Sequence, residues 1–339
     1  MKKIYRKLFL SIFMLFVTIV TLTSTTFAWF ASNRESWVDP FALEIENSEG
    51  LYVSVDGKTY GNSVSNSDLS KAIVAKKLNK NVSDVTTDDI VNNLTSLKPI
   101  TTKDMINFTT VDIDSVVDKD NFYVPHAVDS KTYAMFDLYF KIEASKNSDK
   151  KYDLCFAPDP GLNVESNGVS KIEAPVSLVS LTNKLTTQDT TYFANETIKV
   201  NPANAMRIGV FHGSETTVYE ITDEYDLGSY AIYGEGNPIY NPNQNAMFTY
   251  FNNSHVSKLR ALEKDDFYYN TVKSFDDMIS LGLFEISNEN QGYNEVKITI
   301  CIWLEGYDAD YISGISTNEM KIFLNFIKRD HEEVASWEN

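Results

Sequence analysis

The residues best suited to chemistry lie in Glu305-Gly306-Tyr307-Asp308-Ala309-Asp310, where three carboxylates fall within six positions. Carboxylates spaced along one loop can give a calcium ion two or three oxygen ligands, with other loops supplying the rest. Glu305, Asp308 and Asp310 are the candidate ion site on that ground. The alternative is that this stretch simply links the central strand pair of a β-sandwich. A second acidic group, Asp112, Asp114 and Asp118, has no glycine at the required turn and no closing glutamate, which excludes an EF-hand. Histidine occurs at 126, 212, 255 and 331, never in pairs four apart. His331-Glu332-Glu333-Val334-Ala335 begins like the HExxH helix of zinc hydrolases, but Ala335 stands where the second imidazole is needed. No GxSxG, Walker loop or GxGxxG occurs. The expectation is a protein that is not an enzyme and needs no cofactor, although a triad assembled from distant residues stays open.

Cys155 and Cys301 each sit inside a strand-like run, YDLCFA and ITICIW. In both runs the cysteine alternates with the aliphatic residues. A Cys155–Cys301 disulfide and two free cysteines packed against a sheet are both open. Neither cysteine belongs to a CxxC or Cys/His group, so no metal is implied. Tyr230, Tyr233, Tyr240, Tyr250 and Phe251 lie in a Gly/Asn/Pro-rich stretch, 228–254. They suit either a glycan-binding platform or a packed, ordered loop.

The elements that must position these residues are mostly strands. In Val296–Leu304 the residues Val296, Ile298, Ile300, Ile302 and Leu304 alternate with Lys297, Thr299, Cys301 and Trp303. A period of two places the first set on one face of a strand. Met320, Ile322, Leu324 and Phe326 repeat the pattern. The long loop between them fixes no tight hairpin and leaves the two strands free to enter different sheets. Ala134, Phe136, Leu138, Phe140 and Ile142 predict another strand, followed by one over 152–157. Short strands are expected at 205–212 and 216–221, paired with each other. Phe41–Ile45 and Leu51–Val55 flank Asn47-Ser48-Glu49-Gly50 and read as a hairpin. Within 62–108 the pattern turns helical: Ser67 or Asp68 caps a helix through Leu78, and Thr86-Thr87-Asp88-Asp89 opens a second over Ile90–Leu97. This insertion reads as a helical cap over one end of the sandwich, with a partner surface as the alternative. The last segment, 328–339, reads as a charged tail with no hydrophobic stretch and no LPxTG-type sorting sequence. The fold expected is mainly β, a jelly-roll-like antiparallel β-sandwich over 41–327 with a small helical insertion.

The first residues set the compartment. Lys2, Lys3, Arg6 and Lys7 precede an apolar run, Leu8–Leu22, and then Thr23-Ser24-Thr25-Thr26-Phe27-Ala28. That is the pattern of a secretory signal peptide, residues 1–28, cut between Ala28 and Trp29. An uncleaved membrane anchor is the alternative, since Leu8–Phe30 is long enough to span. The basic side stays inside in both cases, so the rest of the chain is secreted or displayed at the cell surface. Residues 29–40 form an extended lead carrying Trp29, Phe30 and Trp37. The chain of 339 residues has net charge −17; loss of residues 1–28 removes four basic residues and no acidic ones, leaving 26 against 47, or −21. Such acidity excludes nucleic acid as a partner, because phosphates would be repelled. At 43% hydrophobic and 13% aromatic, the composition is rich enough for a packed core and excludes a disordered chain.

Two regions together resemble a known family. Thr26, Ala28, Trp29, Phe30 and Asn33 of TSTTFAWFASN are similar to the export junction of TasA and camelysin-type proteins of Gram-positive bacteria. IWLEGYDADY (302–311) resembles a segment near the C-terminus of exported proteins with the same start, and YAMFDLYFKI and AMRIGVF resemble their inner strands. The resemblance implies cleavage before Trp29 by a SipW-type signal peptidase, a jelly-roll sandwich, and a role as a biofilm-matrix or cell-surface fibre subunit. It also implies self-association, or association with other matrix proteins, by donating an N-terminal strand. Trp29, Phe30 and Trp37 lie in the segment that would be donated. The metalloprotease label attached to some camelysin-type proteins does not carry over, for want of a zinc motif. The alternative function is a tethered or secreted binding module for a glycan or ion.

Overall fold

The computed structural model describes residues 42–47, 50–110, 128–142, 151–157, 171–233, 270–272, 279–285, 294–310 and 320–335, with short breaks inside these spans. The readings on Ala28, Trp29, Phe30 and Trp37, on Asp112, Asp114 and Asp118, and on the tyrosine-rich stretch other than 231–233 lie outside the described residues.

Period-two alternation produces the strands. In chain order they are β1 (Ala42–Asn47), β2 (Leu51–Ser54), β3 (Ser63–Val64), β4 (Pro99–Thr102), β5 (Phe108–Thr110), β6 (Ala134–Ile142), β7 (Lys151–Phe156), β8 (Lys171–Glu173), β9 (Ser177–Ser180) and β10 (Leu185–Thr187). They continue with β11 (Thr191–Tyr192), β12 (Thr197–Val200), β13 (Met206–His212), β14 (Glu215–Glu220), β15 (Ala231–Tyr233), β16 (Asn270–Val272), β17 (Leu283–Glu285), β18 (Asn294–Glu305) and β19 (Lys321–Asp330). One large sheet centres on β18, which pairs with β13 on one side and β6 on the other, while β4 runs beside its far end. β14 and β16 extend this sheet beyond β13, and β2 extends it beyond β6. The other large sheet has the order β17-β7-β19-β1-β3, with β8 also on β19. β18 and β19, consecutive among the described strands, therefore stand in different sheets. The ladders are mainly antiparallel; β1 with β19, β14 with β16 and β18 with β4 are parallel.

The two sheets meet through the alternate faces that the pattern singled out. Phe136, Leu138 and Phe140 of β6 and Ile300, Ile302 and Leu304 of β18 are wholly buried, as are Ile322, Leu324 and Phe326 of β19. Rings cross the interface: Phe140 lies 4.6 Å from Phe326, which stacks on Phe156 at 4.8 Å. Each such side chain contributes roughly 1.5–3 kcal/mol by leaving water.

Five expectations need correction. The hairpin over 41–55 does not form: β1 pairs with β19 in one sheet and β2 with β6 in the other. Leu43 and Ile45 then bury from one side of the core and Leu51 and Val53 from the other. Gly50, at φ +75°, turns the chain where it crosses. The first helix spans Asn66–Leu78 and its N-cap is Ser65, whose Oγ accepts the Asp68 N–H at 3.1 Å. The second helix spans Thr87–Asn92 rather than 90–97, because Thr86 and Asp89 are themselves the reciprocal caps and the first turn must lie between them. The stretch 62–108 is also not wholly helical, since β3, β4 and the first residue of β5 fall within it. Lastly, residues 328–335 are no free tail: β19 runs to Asp330, and His331–Ala335 is a short helix with Val334 buried.

The first helix touches β6 and β1, one strand from each large sheet, and sends Leu69, Ala72 and Ile73 into the shared core. It closes the sandwich along that edge. On the outer face of the β18 sheet, Cys301 and Trp303 are covered by Ile100, Met105 and Phe108. Met105 adopts φ +56°, and Thr102 Oγ1 accepts its N–H at 2.9 Å. Its side chain fills the space over Gly209. A Cβ there would overlap the Met105 sulfur and meet Trp303 Cζ3 at 3.1 Å. Gly209→Ala should therefore lower the unfolding free energy by about 1–3 kcal/mol in urea titration.

Candidate functional site

Arg207 faces outward from β13, on the side opposite Met206, Ile208 and Val210. The ladders set it beside Glu220 of β14 and Trp303 of β18. It is 6% exposed, and a guanidinium so buried demands partners. Its Nη2–H donates to Glu220 Oε1 at 2.8 Å and to Asp308 Oδ2 at 2.5 Å. Nη1–H donates to the carbonyls of Asn204 at 2.9 Å and Met206 at 3.2 Å. Burial alone would push this cation down, but the carboxylates of Glu220, Asp308 and Glu305 outweigh it and hold the guanidinium above its ordinary value.

The carboxylates expected to bind calcium belong to this cluster. Glu305, Asp308 and Asp310 are 9%, 4% and 0% exposed, so they offer no open face to solvent. Glu305 Oε2 accepts the Trp303 indole N–H and the Thr101 hydroxyl, both at 3.2 Å. Asp308 Oδ1 accepts the Asp310 N–H at 2.9 Å, while Oδ2 holds Arg207. Asp310 Oδ2 accepts the Leu227 N–H at 3.1 Å. The expected ion site is corrected accordingly: Arg207 supplies the positive charge that calcium would have supplied. Among the described residues no three His, Cys, Asp or Glu side chains are grouped to hold a metal ion. Burial is the main force on Asp308, lifting its carboxyl to about 6 against the pull of Arg207. Asp310 is pushed up to about 10, first by burial and then by the charge of Asp308.

A neighbouring clamp fixes the segment 223–227. Asp223 accepts Asn201 Nδ2–H at 2.7 Å, Asn204 Nδ2–H at 2.8 Å and the Tyr225 N–H at 2.8 Å. Asn201 also caps the short 3-10 turn Pro202–Ala205, accepting the Ala203 N–H at 3.1 Å. Arg207, Glu220, Asn201, Asn204 and Asp223 did not stand out as site residues in the sequence. The available signal was Arg207 itself, a charge set among Met206, Ile208 and Val210 in a strand.

His331 does lie on a helix, though not over a metal. Its Nδ1 is 2.7 Å from Asp153 Oδ2, and Ser280 Oγ–H donates to Asp153 Oδ1 at 2.5 Å. Asp153 stands between the serine and the histidine. A nucleophilic triad needs the imidazole in the middle, where it can take the serine proton. This trio instead ties the terminal helix to β7.

Cys155 and Cys301 are both buried and neither is in a disulfide, which corrects the disulfide alternative. Cys155 points away from the face of β7 that carries Leu154 and Phe156, and Cys301 away from the face of β18 that carries Ile300 and Ile302. Each therefore lies on the outer side of a different sheet. Packed sheets stand about 10 Å apart, beyond the reach of a disulfide. Burial pushes the Cys301 thiol up, so it stays protonated.

Comparison of the chain with protein-family models, with curated proteins and with solved structures finds no significant match.

Two outcomes follow from the geometry. Arg207→Met strands Glu220 and Asp308 in a buried place and should cost about 3–5 kcal/mol in urea unfolding. Asp308 has a folded value near 6, above the roughly 4 of an unfolded aspartate. Its contribution is thus full below about pH 4 and lost as pH rises through about 6. Urea midpoints of the wild type should fall relative to Asp308→Asn between pH 4 and 7, and a constant difference would refute this.

Proposed function

We propose that the chain is an exported, non-catalytic structural protein of a Gram-positive surface or matrix. In this reading it is a subunit of extracellular fibres with a jelly-roll path, assembled by donation of the N-terminal lead. The observation that carries it is the run from the export junction, Thr26 to Asn33, through the lead to β1. β1 pairs with β19 along its whole length. On its other side β3 covers only Ile45 and Glu46 among the described residues. Ala42–Glu44 thus border an edge at which an added strand would find backbone partners. The cluster around Arg207 supports a structural role as well, because its ionisable groups are spent on one another and on backbone groups.

The reading is tested on protein recovered from culture supernatant and membrane fractions. Intact mass and N-terminal sequencing should give a mature chain starting at Trp29, and electron microscopy should show fibres. Deletion of residues 29–39 should abolish the fibres while leaving the melting temperature of the remaining domain unchanged. A chain beginning at Met1 and held in the membrane fraction would overturn the proposal in favour of a tethered ectodomain.

A further inference from the structure

Four carboxyl groups, those of Glu220, Glu305, Asp308 and Asp310, are buried with a single guanidinium. Were all four ionised, the pocket would hold three uncompensated negative charges away from water, at a cost the fold could not meet. One of them must carry a proton, and the contacts identify it. Glu220 and Asp308 both hold Arg207, and Glu305 accepts two donors. Asp310 alone has a buried oxygen, Oδ1, that meets no donor. The carboxyl group within hydrogen-bonding reach of its side chain is that of Asp226. Two carboxylates facing each other are both acceptors, and they bond only when a proton lies between them.

We propose that a proton shared by the Asp310 and Asp226 carboxyls clasps the segment 223–227 to the end of β18, and that this clasp opens as the pH rises. The other half of the clasp is the Leu227 N–H on Asp310 Oδ2, which fixes the aspartate so that its second oxygen faces Asp226. The groups around Asp310 all act in one direction or are already engaged. Asp308 from its own loop repels a second negative charge, as does Asp226. Arg207, from β13, is held by Asp308 and by Glu220 of β14. Glu305, at the end of β18, is negative too, and Asp223 is held by two asparagines. Lys199 lies over the Tyr225 ring, and among the described residues no ion pair joins a cation to Asp310.

The sign follows from linkage. The closed state binds the proton more tightly than the open state, in which the carboxyls meet water and titrate near their ordinary value of about 4. Closure is strongest below that value and weakens by up to about tenfold per pH unit above it, until Asp310 ionises in the closed state as well. Asp310→Asn keeps an oxygen for the Leu227 N–H and offers an amide N–H to Asp226, so it should close the clasp without a proton.

The test is hydrogen exchange by mass spectrometry on the full chain at pH 6, 7.5 and 9, corrected for intrinsic rates. The readout is a peptide covering 223–227, with one from β6 as a reference. In the wild type the 223–227 protection should fall by at least about tenfold from pH 6 to pH 9, within the limit that one proton sets, while the β6 peptide changes little. In Asp310→Asn it should stay level. Asp226→Asn supplies a second, independent variant, since its amide N–H bonds an ionised Asp310; it too should stay level. Protection in the wild type that does not change with pH would overturn the proposal. So would the wild-type fall reproduced in either variant.

Discussion

The second half of β18, Ile300–Glu305, is buried on both faces, and most of the architecture answers that constraint. One face supplies Ile298, Ile300, Ile302 and Leu304 to the space between the sheets, where β19 meets it. The other carries Cys301, Trp303 and Glu305, which also lie out of water. A strand in the outer sheet of an ordinary two-layer sandwich could leave that second face wet. Here it cannot, because an indole and a thiol must be covered. The cover is the segment running through β4 and β5, with Ile100, Met105 and Phe108 laid over the strand. Where apolar cover ends, Glu305 takes the indole N–H, and the charged cluster begins.

That cluster is better understood as a closure than as a pocket. It joins the ends of β13, β14 and β18 to the loop after β18 and to the segment 223–227, elements far apart in the chain. Buried ion pairs of this kind add little net stability compared with apolar packing. What they supply is geometry. Arg207 accepts only partners placed at the right angle, so Glu220 and Asp308 fix the register of the loop against the sheet. β13 and the loop after β18 meet at this point through Arg207 and Asp308.

Much of the fold could be read from alternation alone. The buried faces of β6, β18 and β19 are the ones that period two assigns, and the cysteines fall on the opposite faces as their places in the pattern require. Capping chemistry also showed in Thr86 and Asp89, although the helix begins at the cap and not after the box. The failures have a common cause. The short turn at 47–50 looks like a hairpin because turn residues mark a reversal but do not say which sheet receives the next strand. Glu305, Asp308 and Asp310 look solvent-facing and ion-binding because their counter-charge comes from Arg207, about a hundred positions earlier. A partner so distant leaves no trace in local spacing. In the same way, nothing in the run His331–Ala335 announces that Asp153 will receive the imidazole.

The parallel pairing of β1 with β19 joins the first described strand to the last. Every residue between Asn47 and Lys321 must therefore have left the ribosome before this sheet can be completed. A chain growing from its N-terminus has no finished version of the sheet to fall into until its last described strand arrives. High sequence separation of this sort slows folding, because the entropy of closing a long loop is spent before the contacts form. The same pairing then locks the first and last described strands of the domain together, so that the sheet is completed late and all at once.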